Sequence, residues 1–203
     1  LGDNPSVERT GEVLEQAIKA LGLDACDIFG MLGGGLAALD LAIRSPARVR
    51  HLAIYGVADP DPGIRAESLE RYVEPIVPDW WGGHLLKCWH MVRDRTFYYP
   101  WYRRTHEGII WHEPDLDPDA VHGRVVALLK AGDMTAPGYA ANITYPVRDR
   151  LKAVKVPVQL VTPDGNPFAG QTKGVAEAVG CPYADLPRAP AEWNETFLRF
   201  FAD

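Results

Sequence analysis

The chain has 203 residues, 47% of them hydrophobic and 24% charged, with a formal net charge of −6. That length supports one substantial core, with room for an inserted lobe. The acidic balance gives no footing for nucleic acid or an anionic membrane, and no apolar run approaches the roughly 20 residues of a spanning helix.

The opening residues, LGDNPSVERT, lack the basic start and apolar run of a signal peptide. Ser6 is placed to cap a helix predicted over Val7 to Leu21, where Val13, Leu14, Ala17, Ile18 and Leu21 recur at helical spacing and Gly22 ends the run. A short strand, Cys26–Phe29, follows. A helix from about Gly35 to Arg44 carries only Asp40 and Arg44 as charges, so it is expected to be buried against a sheet. Pro46 stops it, and His51–Val57 (HLAIYGV) reads as a second buried strand, joined to the first by a right-handed crossover.

From Asp59 to about Asp149 the pattern changes. DPDP and VPDWWGG read as loops, and Ile64–Val77, Leu85–Arg95 and Ala120–Ala131 as helices, the last with Asp117 as N-cap, Pro118 at its first position and Gly132 just past its end. This stretch is expected to be a helical cap, residues 59–149, inserted into a core of residues 1–58 and 150–203. The alternating pattern then resumes: strand Val156–Thr162, helix Thr172–Val179, short strand Pro182–Leu186 and helix Ala191–Phe201. The expected class is α/β, a mostly parallel sheet of about four strands flanked by helices. If the chain is complete as given, the strand at Cys26–Phe29 falls at the sheet edge, where an unpaired apolar strand is a template for another chain. One of three arrangements is therefore expected: a partner chain supplies the missing half, the chain forms a homo-oligomer through this strand, or it is a fragment of a longer protein.

The segment Cys26 to Ala42, CDIFGMLGGGLAALDLA, has the layout of the strand–elbow–helix turn G-x-S-x-G, with Gly30 and Gly34 on its two glycines. Around it, ALGLDACDIFGMLGGGLAALDLAIRSPARVRHLAIYG resembles the elbow region of the α/β-hydrolases, in the capped branch that includes epoxide hydrolases, dehalogenases and small esterases. LKAVKVPVQLVTPDGNPF resembles that family's later strand and acid-bearing loop, and NETFLRFF its terminal helix. The resemblance implies a partial α/β-hydrolase fold, the second half of it, with the family's first strands and oxyanion loop preceding Leu1.

The resemblance also marks where catalytic groups would stand. The nucleophile position is Leu32, which has no lone pair. The acid position, before Pro167, is Asn166; Asp164 lies two residues earlier and serves only if the loop is rearranged. The family's histidine belongs to the segment that reads LPRAPAE here, and no histidine follows His122. A nucleophile–histidine–acid relay needs all three groups in contact. The chain also holds only three serines, Ser6, Ser45 and Ser68.

The remaining signals divide between packing and binding. The glycines Gly33, Gly34 and Gly35 have a packing role without any phosphate, since no G-x-G-x-x-G spacing is present. Trp80, Trp81, Trp89, Phe97, Tyr98, Tyr99, Trp101, Tyr102 and Trp111 make the cap aromatic. They serve as its core or as the lining of an apolar or aromatic ligand site. The candidate binding set is Met31, Leu32, Gly33, Trp81, Trp89, Tyr98, Tyr99 and Trp101. His84 and His90, beside Trp89, are the candidate general bases for a reaction without a covalent intermediate. His84 and Cys88 share a helical face and His112 precedes Glu113, but no third ligand is evident, so no metal is expected, nor any cofactor. Arg103 and Arg104 read as a solvated edge, and Asp115, Asp117 and Asp119 as helix caps rather than calcium ligands. Three scattered cysteines, Cys26, Cys88 and Cys181, read as reduced thiols and place the protein in the cytoplasm.

Three functions follow. The first is a non-hydrolytic homologue binding a small apolar or aromatic molecule under its cap. The second is an isomerase, cyclase or lyase using a cap histidine or tyrosine. The third is a conventional hydrolase of which this chain is an incomplete part.

Overall fold

The computed structural model of the chain describes residues 5–72, 74–110 and 113–202, with the backbone alone at Asp133. In chain order it forms α1 (Val7–Ala20), β1 (Cys26–Met31), α2 (Gly33–Arg44), β2 (Val49–Tyr55), α3 (Pro62–Arg71), α4 (Gly83–Asp94), α5 (Pro118–Ala131), α6 (Thr135–Thr144), α7 (Val147–Ala153), β3 (Val158–Pro163), α8 (Ala169–Val179), β4 (Tyr183–Leu186) and α9 (Trp193–Ala202). By contact it divides into two compact units, Leu1–Pro60 with Ala141–Asp203, and Asp61–Ala140.

The first unit is built on a parallel sheet in the order β1-β2-β3-β4. Side chains alternate across a strand, so each strand supplies two cores. Ile28, Leu52, Ile54, Val158 and Leu160 face the layer that holds α2, α7 and α8. Tyr55, Val161 and Leu186 face Trp193 and Phe197 of α9. Burial on both faces explains why β2 and β3 read as nearly continuous apolar runs. The helix α2, placed against β1 and β2, buries everything from Gly35 to Ala42.

Asp40 is the exception in that layer, a carboxylate with no exposed surface. Arg44 Nε donates to its Oδ2 at 2.6 Å and Arg150 Nη2 to its Oδ1 at 2.5 Å. Arg150 also donates to the Tyr145 hydroxyl, and Arg44 to Glu15, which joins α1 to the network. A buried charge persists only with such partners. Gly11 makes room for it, since a Cβ there would stand 2.7 Å from Asp40 Oδ2.

The ends of α1 match the sequence: the Ser6 hydroxyl accepts from Arg9 N–H, and Gly22, at φ +72°, follows the last turn. Two expectations need correction. The helix expected over Ile64–Val77 ends at Arg71. The turn into α2 is tighter than expected: β1 runs on to Met31 and α2 starts at Gly33, leaving Leu32 alone as the connection. Neither α6 nor α7 was foreseen; α7 spans seven residues, too few to display a helical period.

In the second unit α4 packs on α5 around Cys88, Met91, Val92, Val121, Val125 and Leu128. Asp117 caps α5 through the Ala120 N–H, with Pro118 first in the helix and Gly132 at φ +51° beyond it. Among the described residues no helix is long and apolar enough to cross a membrane.

Candidate functional site at the carboxyl ends of the strands

In parallel α/β sheets, sites form in the loops beyond the carboxyl ends of the strands. Here the loops after β1, β2 and β3 meet at one point. Leu32 N–H donates to Tyr55 O at 2.8 Å, extending the β1–β2 ladder by one bond, and Leu32 O accepts from Leu36 N–H at 3.1 Å, opening α2. A reversal within one residue forces Leu32 to φ +48° and ψ −122°. Among the described residues it alone takes a positive φ without being glycine. Such a conformation costs a side-chain-bearing residue about 1–3 kcal/mol, and it clusters at functional turns.

The neighbouring glycines make this turn sterically feasible. A Cβ on Gly30 would lie 2.6 Å from Gly35 Cα, and one on Gly35 2.6 Å from Ile54 Cγ2. The close packing therefore joins Gly30 to Gly35; Gly34, assigned to that role from the spacing, has open space around it. At Gly33 a Cβ would meet the Asn142 side-chain amide at 2.4 Å. After β2, Gly56 takes φ +71°, and a Cβ there would approach Leu32 Cδ2 to 2.8 Å and Phe168 Cβ to 3.7 Å. The Leu32 side chain thus lies over Gly56 beside Phe168, and it remains 39% exposed.

Asn166 sits in the loop after β3 with both ends of its amide engaged. Its Oδ1 accepts from Phe168 N–H at 2.9 Å, leaving Nδ2 to donate to the Tyr55 hydroxyl at 2.7 Å. Burial pushes the Tyr55 phenol up, with the Asn166 hydrogen bond opposing. Asp164 is exposed and faces Arg188 at 3.6 Å. In the segment before α9, Pro187 O accepts from Trp193 Nε1 at 2.7 Å, and the indole packs against the Tyr55 and Phe29 rings. The histidine of this unit, His51, belongs to the other end of β2, about 13 Å from Tyr55 along the strand. There it bonds Asp27, whose carboxyl the Arg50 guanidinium and His51 hold low. The loops therefore bring together a leucine, an amide, a phenol and an indole. None of these supplies a nucleophile with an adjacent base.

The other candidate residues disperse within the second unit. Trp89 and Trp101 pack on its apolar core, while Trp81 is 90% exposed, as is its neighbour Trp80 at 92%. Tyr98 pairs with Ile109 through an antiparallel bridge. Tyr99 lines a cavity of about 470 Å³ together with Glu67, Arg71, Tyr102 and Arg103. His90 is exposed. His84 is committed to the start of α4: its backbone N–H donates to Asp79 Oδ2 at 2.7 Å, and its Nδ1 accepts from Asp79 N–H at 3.2 Å. Trp111 and His112 lie outside the described residues. Arg103 and Arg104 are not a free edge: Arg103 holds Glu67 through two nitrogens, and Arg104 Nη2 meets the buried Asp94 at 2.6 Å. Among the described residues no group of three histidines, cysteines or carboxylates is placed to hold a metal ion. Sequence reasoning missed Asn142, Tyr55 and Phe168, because proximity to the turn comes from chain crossings rather than local spacing.

Comparison with protein-family models finds no match, and comparison with curated proteins finds none either. Comparison with solved structures does. A hydrolase from Pseudomonas aeruginosa superposes with a TM-score of 0.67 at 17% identity, over 98% of this chain and 73% of that one. The fold is that of the α/β-hydrolases, in part. Epoxide hydrolase A from Mycobacterium thermoresistibile gives 0.67 at 16% identity over 97% and 75%, and the enol-lactonase from Burkholderia xenovorans 0.62 at 18% over 98% and 74%. The chain thus spans about three quarters of each.

Proposed function

We propose that this chain is a non-hydrolytic protein on an α/β-hydrolase scaffold, which binds a small apolar or aromatic molecule without cleaving it. The observation that carries the reading is Leu32: the strained turn between β1 and α2 carries a hydrocarbon side chain. Two further observations support it. Both ends of the Asn166 amide are engaged in structural bonds, and Trp193 follows a segment without histidine. Loss of a nucleophile and its base removes about 10⁶-fold of turnover in such enzymes. The exposed faces of Leu32, Met31 and Phe29 offer apolar contact at the same turn.

The test is a panel of p-nitrophenyl esters and an aryl epoxide with the purified chain. The expected outcome is no turnover above buffer, and none from Leu32→Ser, because the new hydroxyl has no base. Ester turnover by the wild type that Leu32→Ala abolishes would overturn the reading. A second reading, a hydrolase whose remaining groups lie outside this chain, is favoured by the span of about three quarters of its hydrolase neighbours. It predicts that the whole gene product turns over an ester that this chain does not.

A further inference from the structure

Arg95, at the carboxyl end of α4, is a cation with no anion among the described residues. Its guanidinium carbon lies 5.2 Å from the centre of the Tyr72 ring and 5.3 Å from that of Tyr139. Its Nη1 donates to the Tyr139 hydroxyl at 3.0 Å. Its Nε and Nη2 are buried and have no hydrogen-bond partner among the described residues. Both rings lie to one side of the guanidinium, their centres 5.0 Å apart and their planes at 81°, and they leave the Nε and Nη2 donors unmet.

Those two nitrogens form the side-on fork of the guanidinium, whose parallel N–H bonds match the spacing of two oxygens on one planar anion. Among the described residues Nε and Nη2 hold both oxygens of a carboxylate in Arg50 on Asp27 and in Arg103 on Glu67, and the single Oδ1 of Asp94 in Arg93. Among the described residues Arg95 makes no ion pair. The surrounding groups are phenols. The Tyr72 ring touches those of Tyr139 and Tyr102 at 5.0 and 6.4 Å. Tyr99 is near enough to Arg95 for the charge to act on its phenol, which burial pushes strongly up. Tyr99 and Tyr102 are also walls of the 470 Å³ cavity.

We propose that Arg95 is the anchor of a binding site for a monoanionic carboxylate carried on an aromatic or apolar group, held bidentate by Nε and Nη2 beside the tyrosine cluster. One guanidinium balances one negative charge, and the rings select a flat or apolar body behind it. The site lies within the unit Asp61–Ala140 and does not rest on the reading of the elbow.

Benzoate titrated calorimetrically into the full chain tests this. The expected result is saturable binding, absent with the neutral isostere benzamide and weakened about tenfold or more by Arg95→Lys, which keeps the charge and loses the fork. Tyr139→Phe, which leaves the fork in place, retains binding. In ¹⁵N-labelled wild-type protein the Arg95 Nε–H resonance moves with benzoate and not with benzamide, a readout that stands even where a variant does not fold. Absence of benzoate binding, equal binding of benzamide, a resonance that does not move, or unchanged affinity in Arg95→Lys would each overturn the proposal. Tighter binding of inorganic phosphate than of benzoate overturns the carboxylate assignment.

Discussion

A single methyl group decides the geometry of the turn at Leu32. Gly35 has Ile54 Cγ2 and Gly30 O each within 3 Å of where a Cβ would stand. Neither can retreat, because one belongs to a fully buried side chain and the other to the backbone of β1. Gly35→Ala is therefore expected to lower unfolding free energy by about 3 kcal/mol. Gly34→Ala, with open space around it, is expected to change it by less than about 1 kcal/mol. Urea titration of the two variants separates the outcomes; equal effects would refute the packing assignment. The candidate site was legible at this scale in identity but not in contact. Leu32 and Asn166 stand out from their neighbours in the chain. The Asn142 amide over Gly33, and the Tyr55 hydroxyl on Asn166, depend on segments more than 100 residues away and leave no local trace.

At the scale of elements, most of the fold could be read because periodicity and caps agree. Ser6, Asp117 and Pro118 act where their chemistry places them, and the parallel sheet follows from apolar runs alternating with helices. The start of α4 could not be read, since its cap is built from a residue outside the helix. Asp79 accepts from the N–H groups of Trp81, Gly83 and His84. The backbone N–H groups of Gly83 and His84 hold its carboxyl at about 2, below the ordinary 3.8. A depressed carboxyl stabilises the folded form in full above its ordinary value, and that contribution is lost as pH falls through the depressed one. The Gly83 and His84 amide resonances are thus expected to titrate with a midpoint near 2. Asp79→Ala is expected to fray the first turn of α4 at neutral pH, seen as loss of exchange protection there. A midpoint near the ordinary value would show that the cap is not formed.

Across the sheet unit, stability is tied to one buried carboxylate. Asp40 anchors Arg44 of its own helix and Arg150 of α7, and through Arg44 reaches Glu15 of α1. Asp40→Ala removes the buried partner shared by two guanidinium groups and is expected to cost about 3 kcal/mol. Repacking the network with apolar residues at 40, 44 and 150 together is expected to cost much less, so calorimetric melting of the single and triple variants measures the coupling. Leu32 pulls the other way. The molecule carries a wound spring at the turn between β1 and α2, held by the rest of the sheet. Leu32→Gly keeps the turn and unwinds the spring, with an expected gain of about 1 kcal/mol and a rise of roughly 2–4 °C in the melting of the sheet. The one left-handed angle on a non-glycine among the described residues is thus the first place to look for a hardier variant.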